Sequence, residues 1–301
     1  MKLDLAAVRK FANVEFLAKQ LVEGFITGLH KSPYHGFSVE FSEHRLYNTG
    51  ESTRHIDWKV FARTDKLFVK RYEEETNLRC HLLLDVSGSM YYPQETHGKL
   101  AFSVLAAAAL ATMLQKQRDA VGLVTFSDQI ELQSPVRSTG SHLHTILLAL
   151  QNVLERPANP KQTAVAEVIH QIAQKIPKRS LVVLFTDMFG QTNNLEATFA
   201  ALQHLKHQKH EVLLFHVMDR KTEATFAFAE KPHIFVDIET GEEVKLQPNE
   251  VREHYIKQMT DFEHDLAVRC GQHRIDFIAV DIADDFDKVL SAYLVKRGKV
   301  K

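Results

Sequence analysis

The chain has 301 residues and 45% hydrophobic residues, ordinary for a soluble globular protein, and its 37 basic against 38 acidic side chains argue for no class of partner. The start, Met1-Lys2-Leu3-Asp4-Leu5, carries an acid in a broken apolar run and does not read as a signal peptide; no stretch reaches the roughly 18 apolar residues of a membrane span. Cys80 and Cys270 lack metal-ligand spacing and read as buried free thiols of a reducing compartment, so a cytoplasmic location is expected.

Residues 3–29 predict an amphipathic helix, interrupted near Gly24 and Gly28, with Leu17, Leu21 and Phe25 at helical spacing. Residues 36–47 read as extended, with Phe37, Val39 and Phe41 alternating against polar neighbours, and 48–51 as a turn. Residues 54–63 predict a short helix or irregular turn, in which Arg54 and Asp57 pair and Trp58 anchors the segment to a core. The alternative is a basic patch of Arg45, Arg54, Arg63, Lys70 and Arg71, which Glu73-Glu74-Glu75 offsets. Residues 66–75 return to strand.

From residue 80 onward apolar runs and helical patterns alternate. Strands are expected up to Asp85 and at 120–126, 130–134, 180–185, 211–217 and 274–280. Helices are expected at 99–116, 143–154, 164–176, 195–207, 249–270 and 285–296. Such alternation signals an α/β fold with a doubly wound, mostly parallel sheet. The rhythm breaks over about 219–249, where residues 233–238 and 243–246 flank a turn and predict a hairpin insertion. The expected organisation is an N-terminal segment, 1–77, followed by the α/β domain, 78–301. His204, His207 and His210 spread around a helix and read as a solvated face rather than a metal cluster.

The segment Leu82-Leu83-Leu84-Asp85-Val86-Ser87-Gly88-Ser89 carries the most chemistry. A buried parallel strand places the residues just past its carboxyl end in a surface crevice. One carboxylate and two hydroxyls thus converge: hard oxygen ligands suited to Mg²⁺, or to Mn²⁺ or Ca²⁺. Asp187 ends a second apolar strand, and Thr163 precedes a helix, where its hydroxyl either caps that helix or reaches the ion. Two carboxylates with neutral hydroxyls leave the ion open to a further acidic ligand.

Asp85-x-Ser87-x-Ser89, then Thr163, then Asp187, resembles the metal-ion-dependent adhesion site of von Willebrand factor A domains. That resemblance implies that the serines and threonine coordinate the ion, the aspartates act directly or through water, and a partner's carboxylate fills the open position. Gln162 stands where a glycine often precedes the threonine, and Thr139, beside Gly140, is a rival. Upstream, Gly50-Glu51-Ser52-Thr53-Arg54-His55-Ile56-Asp57-Trp58-Lys59, continuing to Leu67, Val69 and Lys70, resembles the domain of unknown function 58 (DUF58) family. The resemblance implies a non-enzymatic interaction module that partners a MoxR-type AAA+ ATPase. The enzymatic alternative is a Mg²⁺-dependent phosphotransferase of haloacid dehalogenase type, with Asp85 as nucleophile and Asp284-Asp285 as distal metal carboxylates. Ser87 stands where such enzymes need a second aspartate as acid/base. No Gly-x-x-x-x-Gly-Lys-Ser/Thr loop or Gly-x-Ser-x-Gly elbow is present.

Overall fold

The computed structural model describes residues 13–29, 44–46, 58–70, 78–157, 164–188, 195–238 and 241–299. In chain order the first elements are α1 (Val14–Leu29), β1 (His44–Leu46), α2 (Trp58–Thr64), β2 (Phe68–Lys70), β3 (Arg79–Asp85) and α3 (Gly98–Lys116). Next come β4 (Ala120–Phe126), β5 (Ile130–Gln133), α4 (Gly140–Glu155), α5 (Val165–Lys175), β6 (Leu181–Thr186) and α6 (Leu195–His207). The last are β7 (Glu211–Met218), β8 (His233–Val236), β9 (Glu243–Leu246), α7 (Pro248–Gln272), β10 (Asp276–Asp281) and α8 (Asp287–Lys299). Two compact units result: residues 28–77, and residues 1–27 together with 78–301.

In the smaller unit β1 and β2 pair antiparallel, with His44 opposite Lys70. The expectation that Trp58 anchors a turn to the core is overturned. Its side chain is 60% exposed and meets only the edge of Phe61 at 6.1 Å among the ring contacts described. Seven residues make two turns, and none of α2 is buried, so this helix offers no core to anchor to. Arg54, Asp57, the extended run before residue 44 and the turn at 48–51 lie outside the described residues.

The larger unit is built on a six-stranded sheet of order β10-β7-β6-β3-β4-β5, all parallel except β5, the doubly wound arrangement expected from the alternation. Its central strands are near-continuous apolar runs because helices cover both faces, so neither face needs polar side chains. On one face Leu83, Val124, Val182, Leu184 and Leu214 pack with α5, α6 and Leu266 and Cys270 of α7. On the other lies α3, flanked by α4 and α8. Phe102 of α3 stacks on Phe286 at 4.7 Å. Helix α3 is apolar all round and buried along almost its whole length, as a helix at the centre of a fold must be. Among the described residues it is the one helix long and apolar enough to cross a membrane by length and composition, and it is buried inside the fold.

Helix α1 runs unbroken through Gly24, contrary to the expected interruption. A mid-helix glycine costs about 1 kcal/mol, less than burial of Leu21 and Phe25 on either side of it supplies. The helix lies on α4: the Val14 amide donates to Gln151 Oε1 at 3.0 Å, and Glu15 pairs with His144 at 3.1 Å. Both cysteines are free and buried, and burial pushes the Cys270 thiol up to about 12. The histidines near α6 do not converge. His204 meets His170 at 3.2 Å, His207 is exposed, and His210 lies past the helix end.

The insertion is a hairpin, β8 against β9, with His233 opposite Leu246. Phe226 packs on Phe235 at 5.5 Å and on Tyr255 of α7 at 4.5 Å. Arg252 donates to the carbonyls of Phe226 and Phe228 at 3.2 and 3.1 Å, which ties the insertion to α7. Two short elements went unanticipated: a 3₁₀ turn at Gly88–Tyr91 and a π turn at Arg220–Ala224.

Candidate metal centre

The chain adds β4 and β5 on one side of β3, then crosses over to add β6, β7 and β10 on the other. The strand order therefore reverses between β3 and β6, and in doubly wound sheets ligands bind outside the carboxyl ends of the strands at that switch point. Asp85 ends β3, and Asp187 comes directly after β6. Topology alone puts both carboxylates at the one place in this fold where a ligand is expected.

The Val86 amide still bonds the Phe126 carbonyl at 2.8 Å, so the chain leaves the sheet only at Ser87. The Ser87 amide then turns back to donate to Asp85 Oδ1 at 3.0 Å. The 3₁₀ turn brings Ser89 Oγ to 3.2 Å from Ser87 Oγ. Thr186, the last residue of β6, donates its hydroxyl to Asp85 Oδ2 at 2.7 Å, and that hydroxyl accepts from the Met188 amide at 3.2 Å. Asp85, Ser87 and Asp187 are buried and Ser89 is half-buried. Burial, with repulsion from Asp187 next, pushes the Asp85 carboxyl up to about 7, against the bonds from Ser87 and Thr186. The two aspartates therefore share an electrostatic site, short of positive charge on the Asp85 side.

Asp187 is held differently. Its carbonyl lies 2.8 Å from His216 Nε2 and can only accept, which places the ring proton on Nε2. Its Oδ2 accepts from the Lys99 ammonium at 2.7 Å. Lys99 is 1% exposed and pairs also with Glu223 of the π turn. Glu223 Oε2 in turn accepts from the Asp219 amide at 2.7 Å. Burial works against the Lys99 charge, but Asp187 and Glu223 outweigh it and hold the ammonium above its ordinary value. Burial raises the Glu223 carboxyl despite Lys99. One of the two carboxylates expected to leave the ion under-neutralised is thus already paired with a lysine.

The donor set fits a divalent ion. Oxygens 2.0–2.1 Å from Mg²⁺ at right angles lie about 2.9 Å apart, within a few tenths of an ångström of the 3.2 Å between the serine hydroxyls. Among the described residues no three His, Cys, Asp or Glu side chains cluster in metal-binding fashion, so the hydroxyls would have to carry much of the coordination. Asp85, Ser87 and Ser89 would hold the ion, with Asp187 beside them. Thr163 lies outside the described residues. Its rival Thr139 caps α4, accepting from the His142 amide at 3.4 Å. Arg137, two residues earlier, pairs with Val121 near the start of β4, so Thr139 lies toward the opposite end of the sheet from Asp85.

Asp284 and Asp285 do not join the site. They come after β10, three strand spacings or about 14 Å from β3, and Asp284 pairs with Lys288 at 3.0 Å. Sequence reasoning missed Lys99, Glu223 and the bond from Thr186. A signal for Lys99 existed: a single charge near the start of a helix apolar on every face must be buried, and a buried charge needs a partner. Glu223 sits in an irregular insertion and gave no such sign.

Residues 43–265 match the family described as Protein of unknown function DUF58, well over half of the chain. The chain belongs to the DUF58 family. The matched span of this DUF58 protein includes β3, β6, Lys99 and the π turn, and ends within α7. Uncharacterized protein Rv1480 of Mycobacterium tuberculosis is 27% identical over 206 residues, 68% of this chain and 63% of that protein. Uncharacterized protein Mb1516 of Mycobacterium bovis matches to the same extent. The chain thus spans less than two thirds of the length of these relatives. Among solved structures, the conserved hypothetical protein BatB from Bacteroides thetaiotaomicron is similar, at 16% identity and a TM-score of 0.44, covering 74% of this chain and 99% of that one. The SpRpn10 VWA domain is similar at 12% identity and a TM-score of 0.39, covering 72% and 95%. At these TM-scores the likeness adds nothing to what the strand order already states.

Proposed function

We propose that this DUF58 protein is a non-enzymatic, divalent-metal-dependent docking module of von Willebrand A type. Asp85, Ser87, Ser89, Thr163 and Asp187 serve the ion, and a partner supplies a glutamate or aspartate to its open position. A MoxR-type AAA+ ATPase is the proposed partner. The observation that carries this reading is the pair of serine hydroxyls, 3.2 Å apart, beside the Asp85 carboxylate at the switch point of the sheet. When bound, the ion would supply a hard positive centre that accepts one more carboxylate oxygen.

Both Asp85 oxygens already accept hydrogen bonds, from the Ser87 amide and the Thr186 hydroxyl, which favours a holding role over nucleophilic attack. The distance to Asp284 and Asp285 likewise leaves the phosphotransferase alternative without its distal carboxylates.

Calorimetric titration of the full chain with Mg²⁺, Mn²⁺ and Ca²⁺ tests the ion site. One ion should bind to the wild type, and Asp85→Ala should weaken binding at least tenfold. Unchanged affinity in the variant sinks the assignment. A pull-down with a purified MoxR-type ATPase, with and without chelator, tests the partner: equal retention in both means that the metal does not mediate docking.

A further inference from the structure

We propose that Lys99 is a resident counter-cation of this centre, and that a divalent ion enters by exchange: the ion takes Asp187, and the Lys99 ammonium passes to Glu223. The proposal rests on the ion-site reading above and adds two residues to it.

Three observations carry it. Lys99 is 1% exposed, so its ammonium cannot retreat into solvent and must stay on a buried acceptor. It already bridges both acceptors, with Asp187 Oδ2 on one side and Glu223 on the other. Asp85, Asp187 and Glu223 against one ammonium leave two negative charges when all are ionised, the complement of one divalent ion. An ion and an ammonium on the same carboxylate repel strongly in a buried site. Glu223 relieves that repulsion, because it offers Lys99 a second anion without exposing it.

The exchange reaches beyond the centre. Glu223 belongs to a five-residue π turn that opens the insertion after β7, and the Asp219 amide clamps its other oxygen at 2.7 Å. Thr222, in the same turn, donates to Asp219 Oδ2 at 2.8 Å. A Lys99 ammonium that leans fully on Glu223 pulls on this turn, so the base of the insertion registers whether the ion is bound. Lys99 thereby sets metal affinity as a competitor, and Glu223 acts through Lys99 as a positioning residue.

Calorimetric titration with Mg²⁺ alone tests this on the full chain, as wild type, Lys99→Met, Glu223→Gln and the double variant. Lys99→Met should bind at least tenfold tighter than wild type, because the competitor is gone. Glu223→Gln should bind threefold or more weaker, because Lys99 loses the anion that would draw it off Asp187. The double variant should match Lys99→Met, since Glu223 has nothing left to act through. Equal or weaker binding by Lys99→Met overturns the exchange, and so does a Glu223→Gln penalty that persists undiminished in the double variant. Amide hydrogen exchange supplies an independent readout that needs no variant: protection at residues 219–224 should change in the wild type at saturating Mg²⁺. No change there overturns the proposal even if Lys99→Met fails to fold. Wild-type binding that depends on Asp85 but ignores Lys99 sinks the exchange and leaves the ion site standing. Absence of Mg²⁺ binding in both wild type and Lys99→Met sinks the ion site and the exchange with it.

Discussion

At the carboxyl ends of β3 and β6 the protein buries charge: Asp85, Asp187 and Lys99 are all at most 1% exposed, with Glu223 closing the cluster. Toward the amino ends of the same sheet it buries two histidines that burial keeps neutral. His81 on β3 is 5% exposed, and burial, then His210 and Arg79, push it down to about 4, so it is uncharged at neutral pH. His210 is buried too, accepts from the Ser180 amide at 3.2 Å, and is likewise held below its ordinary value by burial. One carboxyl group, Asp119, is buried there too and accepts from the Leu78 amide and the Tyr293 hydroxyl at 3.2 and 3.3 Å. A group buried neutral carries only its desolvation cost and gives a ligand nothing to exchange. A paired charge can trade one partner for another, which is the property a binding site needs.

The sharpest way to break this contrast is to remove one partner at the charged end. Lys99→Ala leaves Asp187 and Glu223 buried without their ammonium, and should cost about 3–5 kcal/mol of stability. Urea unfolding at pH 7.5 in the presence of chelator measures it. A loss below about 1 kcal/mol would mean that the cluster is solvated and that the two ends do not differ.

The neutral end should answer to acid instead. His81 has a folded pKa below its unfolded one, so its contribution is fully present above about pH 6.5 and is lost as pH falls toward 4. Between pH 7.5 and 4.5 that loss is on the order of 2–3 kcal/mol. His81→Leu should remove it, leaving a shallower fall in unfolding free energy over the same range. His210 and His216, held low by burial, keep titrating in the variant, and Asp85 and Glu223, held high by burial, oppose them, so the slope that remains is the sum of these contributions. An unchanged pH profile would show that His81 is already charged in the folded protein.

How legible each end is in the sequence depends on the same distinction. The sheet could be read because buried parallel strands must be continuous apolar runs, and the predicted 120–126 strand and 195–207 helix coincide with β4 and α6. Asp85, Ser87 and Ser89 could be read because their spacing on one turn is local. Asp187 could be read because a strand end at the switch point is a topological address. Lys99 and Glu223 pair across 124 residues, and no local pattern encodes that contact. Trp58 misled because a lone tryptophan is usually buried, a statistical rule that a short helix without a core does not obey.

The smallest effects expected come from two glycines, one at each end. A Cβ on Gly98 would lie 2.8 Å from Ile282 Cδ1 and 3.0 Å from Pro93 Cδ. The isoleucine methyl can rotate away, and alanine favours the helix by up to about 1 kcal/mol, so Gly98→Ala should cost less than about 1 kcal/mol overall. A Cβ on Gly122, opposite His81 in the sheet, would lie 2.8 Å from Val136 Cγ2 and 3.1 Å from the Pro135 carbonyl oxygen. Backbone cannot rotate away, so Gly122→Ala should cost about 1–3 kcal/mol. Parallel urea titrations rank the two, and the reverse order would mean that Pro93 is the rigid contact. In that case Gly98→Ala must shift the start of α3, and the residue it displaces first is Lys99. The Mg²⁺ affinity of Gly98→Ala then separates the two outcomes: unchanged where the methyl yields, altered where the helix start moves.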